Sequence, residues 1–221
     1  MTRKLSSLIR LIGAVVLTAG AGTAAAGVIA GSAHDFSTLT GANGNICLPC
    51  HTPHRANLAV TDAPLWNHAL TTQTYVLYSS TTLNATVTQP GGNSKLCLSC
   101  HDGSVAIGNF GTVTNATNFI SAGAKIGTGT APSISLRSEH PIGITYDAAL
   151  ITADGSLNAL TAVANIGSTP ARTGTIASNL LFGGKVECAS CHDVHNRFTA
   201  ATGGNLLKIA PNSLCTTCHA K

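Results

Sequence analysis

Four copies of the motif Cys-x-x-Cys-His constrain this chain more than any other feature of its sequence. They occupy residues 47–51, 97–101, 188–192 and 215–219, and together they use all eight cysteines. This spacing is what covalent attachment of c-type haem requires, because two thiols form thioethers to one porphyrin and the adjacent histidine ligates its iron. The predicted attachment residues are Cys47, Cys50, Cys97, Cys100, Cys188, Cys191, Cys215 and Cys218, and the predicted proximal ligands are His51, His101, His192 and His219.

Two other uses of paired cysteines are disulfide frameworks and zinc ribbons. Neither requires a histidine directly after every second cysteine, and the chain has only 9 histidines in 221 residues. The four-fold recurrence therefore favours four covalently attached c-type haems as cofactors.

The N-terminus resembles a secretory signal peptide. Basic residues within positions 3–10 precede an apolar run from Leu11 to Ala21, and Ala24–Ala26 form a small-residue cleavage site. We expect residues 1–26 to be removed and the mature chain to start near Gly27, with no membrane span left. The first cysteine, Cys47, lies too far from this site for lipoprotein anchoring.

The composition is unsuited to a large side-chain core, since only 9% of residues are charged and 4% aromatic, while small polar residues dominate. Four porphyrins would supply the missing apolar mass. We predict a mostly irregular fold, with short helices and a few short β-strands, wrapped around a stack of four haems. Residues 27–221 would form one domain, with haems 1–2 in 27–110, a loop and β segment in 111–185, and haems 3–4 in 186–221.

The sequence charge is a poor guide to the charge of the loaded protein. Removing the leader takes away three basic residues and lowers the formal charge from +4 to +1. Eight propionates, offset by about one positive charge per ferric haem, would bring the oxidised protein to about −3. No basic patch suggests nucleic acid as a partner.

The sixth ligand of each iron decides between electron transfer and catalysis. The one methionine, Met1, leaves with the leader, so histidine must supply the distal ligands. Five histidines lie outside the four Cys-x-x-Cys-His motifs: His34, His54, His68, His140 and His195.

Chain distance suggests how these ligands are used. His54 and His195 each follow a proximal histidine by three residues, so neither can reach the opposite face of its own haem. We expect His54 to serve the haem of His101, and His195 that of His219. His34 and His140 would serve the haems of His51 and His192, in an order left open, and His68 would be the spare.

Several motifs together carry a family resemblance. The series comprises Ala33–Phe36, Cys-x-x-Cys-His-Thr-Pro-His at 47–54, Pro64–Asn67, Cys97–Gly103, His140-Pro141, and Cys-x-Ser-Cys-His-Asp-Val-His at 188–195. It resembles the doubled-CxxCH multihaem family, and most of all its OmcE-type tetrahaem cytochromes. In that family arginine often stands at the position of His68, which agrees with leaving His68 unligated.

The resemblance implies a subunit of an extracellular filament with a continuous haem chain, secreted to the cell surface. Its partners would be other copies of itself, redox-partner cytochromes and an extracellular electron acceptor. A distal histidine in such filaments can come from the neighbouring subunit, and the early position of His34 makes it the expected donor.

Two other functions remain open at this stage. A monomeric periplasmic electron carrier would have the same motifs, and only assembly separates it from a filament subunit. A haem enzyme, such as a nitrite- or hydroxylamine-type reductase, needs an open iron position. No attachment motif has lysine in place of histidine, and the distal candidates suffice for every iron, so we expect an electron-transfer protein without catalytic residues.

Overall fold

The backbone is mostly irregular, as the composition predicted. The structure, a computed structural model, describes residues 29–61, 63–167, 171–197 and 206–220. The expected leader and the mature start at Gly27 lie outside these ranges. The described helices are α1 (Gly92–His101), α2 (Ala148–Asp154), α3 (Cys188–Cys191) and α4 (Pro211–Cys218), with a 3-10 turn at Ala122–Ala124 and a π-turn at Ile176–Leu180.

Three of the four attachment motifs lie on short helices. The second motif ends α1, the third forms α3, and the fourth ends α4, which Pro211 opens at its first turn. The first motif lies in consecutive turns, where the His51 amide donates to the Cys47 carbonyl at 2.9 Å. Each motif therefore coils its two cysteines and its histidine into about one turn.

The strands are very short and form two pairs: β1 (Tyr75–Val76) with β2 (Ile134–Ser135), and β3 (Ile144–Thr145) with β4 (Lys185–Val186). The first pair is parallel and the second antiparallel. Gly183 and Gly184 adopt positive φ and close a tight turn in which Phe182 and Lys185 exchange hydrogen bonds of 3.0 Å. This turn delivers β4 to the third attachment motif.

Helix α2 was not predicted, because seven residues are too few to show helical periodicity. Its boundaries have local causes. The Asp147 side chain caps the start by accepting from the Leu150 amide at 2.8 Å, and Gly155 ends the helix in the left-handed conformation.

Two small apolar clusters form the side-chain core. One packs β1 and β2 against the second motif, and consists of Tyr75, Leu98, Ile134 and Leu136. The other lies near the fourth motif and consists of Tyr146, Ala164, Ile166, Ile176, Leu180 and Ile209. Each cluster thus includes or adjoins an attachment motif. None of the helices in the described ranges is long and apolar enough to cross a membrane.

Candidate haem-binding site

The eight cysteines are free thiols, with no disulfide among them. Burial raises the pKa of Cys50 to about 11 and that of Cys100 to about 12. An environment that penalises a thiolate suits a thioether, which carries no charge. The thiols of Cys50 and Cys100 therefore lie in surroundings that suit attachment to an apolar group.

The motifs adjoin one another in the order in which they occur along the chain. The thiols of Cys50 and Cys100 are close enough to interact electrostatically. Cys97 and Cys188 are close enough for each to shift the pKa of the other. The electrostatic influence of Cys215 extends to Cys191. Neighbouring motifs thus lie near one another from the first to the fourth.

Three histidine pairs bring a motif histidine against a distant histidine. The ring centres of His51 and His195 lie 6.0 Å apart, with 13° between the ring planes. The rings of His34 and His101 are also 6.0 Å apart, at 40°. The rings of His140 and His219 are 6.4 Å apart, at 70°.

This spacing fits a metal between each pair of rings. An imidazole nitrogen binds a transition metal at about 2 Å, so two imidazoles on opposite sides of one iron have ring centres about 6 Å apart. Rings that only pack against each other are not held to one centre-to-centre distance. The three pairs keep nearly the same distance at three different interplanar angles. The donor set therefore fits c-type haem with two histidine ligands.

The Nδ1 atoms of three of these rings are already engaged by the backbone. That of His51 contacts the Pro64 carbonyl, that of His101 the Ala124 carbonyl at 2.8 Å, and that of His140 the Pro141 carbonyl at 3.0 Å. A hydrogen bond at one ring nitrogen fixes the tautomer and leaves Nε2 as the ligating atom. These three rings are therefore oriented as metal ligands are.

The ring pairs in the structure differ from the pairs expected from chain distance. His34, and not His54, lies against His101, because the irregular N-terminal segment folds back onto the end of α1. His195 lies against His51 and not against His219, which instead faces His140. The two residues of each pair are distant in the chain, and the iron that each distal histidine serves stays a prediction.

The two remaining distal candidates differ sharply. His68 is buried, with Nδ1 contacting the Ala69 carbonyl at 2.8 Å and Nε2 contacting the Ala106 carbonyl at 3.1 Å. A neutral imidazole donates from one nitrogen only, so one of these two contacts is a hydrogen bond. The expected role of His68 as the spare stays a prediction. His54 is exposed, and its imidazole makes no hydrogen bond, ion pair or ring contact in the described part of the chain.

Burial keeps two of the distal histidines neutral. It lowers the pKa of His34, and the neighbouring His101 and His195 lower it further. Burial also lowers the pKa of His195, although the Asp193 carboxylate opposes this effect. The neutral imidazole is the form that binds metal.

Two buried nitrogens point to a missing acceptor. His34 Nδ1 and Trp66 Nε1 are buried without a hydrogen-bond partner in the ranges that the structure describes. Trp66 forms a β-bridge with His51, so both nitrogens lie beside attachment motifs. Leaving such groups unsatisfied is costly, and a haem propionate is an acceptor of the kind they lack.

The aspartates that follow two motif histidines are both buried and fully engaged. Asp102 accepts hydrogen bonds from Thr71, Tyr75 and Ser104. Asp193 pairs with the Arg197 guanidinium at 3.0 Å, which holds the pKa of Asp193 below its ordinary value although burial opposes this. The sequence places both residues beside a ligand but gives no signal of these partners.

Lys208 is a further residue that the sequence gave no reason to single out. It is buried beside the third motif, where its amide donates to the Cys191 carbonyl at 2.8 Å and its Nζ lies 4.7 Å from the centre of the Phe182 ring. A buried ammonium is a suitable partner for a propionate.

The contribution of Lys208 to stability should rise with pH. Burial lowers the pKa of Lys208 from 10.5 to about 8, so between these values the unfolded chain binds a proton that the folded chain has released. The part of the free energy of unfolding that Lys208 contributes then increases as pH rises from 8 to 10.5. In guanidinium unfolding across this range, the free energy of unfolding of the wild type should rise relative to that of Lys208→Met, and parallel curves would contradict it.

Comparison with known proteins agrees with this chemistry. A family model described as "Doubled CXXCH motif" matches residues 182–221, which contain the third and fourth motifs. The match supports a multihaem c-type cytochrome family, and the motifs indicate covalently bound c-type haem. The comparison with curated proteins gave no match.

Proposed function

We propose that this chain is a tetrahaem cytochrome c that carries electrons along a row of bis-histidine haems. The observation that carries the proposal is the set of three histidine pairs with ring centres 6.0–6.4 Å apart, each containing one motif histidine. When bound, the haems supply reversible one-electron chemistry. The proximity of the thiols of successive motifs supports a continuous row.

The side chains would keep the irons six-coordinate and the haems ordered. His34, His140 and His195 would be distal ligands in their own chain, and the backbone carbonyls at Nδ1 would hold the motif rings in place. Two histidine ligands leave no open position for a substrate, which supports electron transfer over catalysis.

The proposal further assigns the chain to an extracellular filament, on its resemblance to OmcE-type cytochromes. His54, rather than His34, would then donate a ligand to a neighbouring copy. Its exposed ring follows a turn fixed by Thr52, whose hydroxyl donates to the His54 carbonyl at 2.8 Å. His54 and Arg55 also line an open surface cavity of about 310 Å³ with apolar walls that include Leu48, Phe110 and Val113.

Mass spectrometry and optical spectra of the purified protein test the haem assignment. We expect the mass of the processed chain plus four haems, and low-spin spectra in both oxidation states. A chain without covalently bound haem would overturn the proposal, and a high-spin spectrum would favour an enzyme.

Electron microscopy of wild type and His54→Ala tests the assembly. We expect the wild type to form filaments and the variant to lose them, since alanine removes the ligand to the adjoining copy. Arg137→Ala is the control, because Arg137 is exposed and is not among the residues that line this cavity. Wild-type protein that stays monodisperse at high concentration would instead favour a monomeric periplasmic carrier.

A further inference from the structure

The carboxylate of Asp102 is a buried anion beside the second motif. Asp102 is only 1% exposed to solvent. Oδ2 accepts from the Thr71 hydroxyl at 2.6 Å and from the Tyr75 hydroxyl at 2.7 Å, and Oδ1 accepts from the Ser104 amide at 2.7 Å. All three donors are uncharged, so they satisfy the oxygens without cancelling the charge.

Asp193 occupies the equivalent place after the third motif but has a different electrostatic environment. Arg197 donates to it through both Nε and Nη2, at 3.0–3.2 Å, and forms an ion pair. By contrast, no cationic side chain of the described residues lies within ion-pair distance of Asp102. The two motifs thus carry the same aspartate, balanced by a cation in one case and unbalanced in the other.

The Asp102 network is rigidly attached to the second motif. The Asp102 amide donates to the Leu98 carbonyl at 3.0 Å at the end of α1, and the carboxylate helps to raise the pKa of Cys100. Burial, followed by the hydrogen bond and the charge of Asp102, raises the pKa of Tyr75, so its hydroxyl keeps its proton and remains a donor. The charge and its donors therefore have a fixed arrangement.

We propose that Asp102 lowers the reduction potential of the site at Cys97–His101. This inference rests on the proposed function, because it requires haem at this motif. A negative charge in a low-dielectric interior stabilises the oxidised, more positive iron and opposes its reduction. An ion pair such as Asp193–Arg197 largely cancels its own field at a neighbouring iron.

A redox titration of Asp102→Asn in the haem-loaded protein tests the proposal. The amide keeps the shape and an acceptor oxygen but removes the charge, so one midpoint potential should rise. We expect the reduction equilibrium of that site to change about tenfold, which is about 59 mV for one electron. Asp147→Asn is the matched control, because Asp147 is exposed, asparagine caps a helix equally well, and the charge change is the same.

Tyr75→Phe separates a charge effect from simple loss of structure. It breaks the same network but keeps the carboxylate and removes a dipole that offsets it, so the potential should fall or stay, and not rise. If Asp102→Asn leaves all potentials unchanged, or if both variants shift one potential upward, the proposal is wrong. The mass of the loaded chain tests the proposed function separately, since absence of haem would refute that function before any potential is measured.

Discussion

Replacing His195 by alanine is expected to open one iron per chain to carbon monoxide, where the wild type binds almost none. The reason is the 6.0 Å spacing between the rings of His195 and His51, which assigns both to one haem. Loss of one axial imidazole converts a six-coordinate low-spin iron into one with a free position. Carbon monoxide difference spectra and electron paramagnetic resonance would both count the affected site.

A pair of double variants identifies the partner of His195. Adding His51→Ala to His195→Ala should not lower the number of low-spin haems further, because both rings would serve the same iron. Adding His219→Ala instead should lower that number by one more. The reverse pattern would restore the pairing expected from chain distance and contradict the observed geometry.

Replacing Gly127 by alanine is expected to lower Tm by about 10 °C. Gly127 has φ +81°, and a Cβ there would lie 2.8 Å from the Ser135 carbonyl oxygen and 3.1 Å from side-chain carbons of Ile134 and Leu136. The left-handed conformation costs alanine about 1–2 kcal/mol. The overpacking costs about 1–3 kcal/mol more. For a chain of this size each 1 kcal/mol shifts Tm by about 2–4 °C.

The same change should disturb the second haem site. The residues just before Gly127 hold His101, since the Ile126 amide donates to its carbonyl at 2.7 Å and the Ala124 carbonyl engages its Nδ1. Gly123→Ala is the control, because no atom lies within 4 Å of its added Cβ and its φ is not positive. Thermal unfolding of both variants, followed in the haem absorption band, checks the prediction. Equal Tm values for the two variants would contradict it.

Local chemistry was predictable from the sequence, and long-range geometry was not. The spacing of cysteine and histidine indicated covalently bound c-type haem, because this signal depends on neighbouring residues. The mostly irregular backbone also followed from composition. The partner of each distal histidine did not, because it depends on how irregular segments without periodic patterns fold back.

The buried polar partners illustrate the same limit. Thr71 and Tyr75 meet Asp102 across about thirty residues of chain, and Asp147 starts a helix too short to show a period. A tyrosine or a threonine in a coil segment carries no signal of the carboxylate that it will contact. These arrangements are decided by tertiary packing, which the order of residues does not reveal by inspection.

The pairing of His51 with His195 also bears on the order in which the protein can mature. His51 belongs to the first motif to be synthesised, yet its partner ring lies in the segment after the third motif. The first site is therefore completed only after most of the chain has been made. A chain cut short before residue 195 would leave its earliest haem with an exposed face. That exposed face would distinguish incomplete molecules from complete ones.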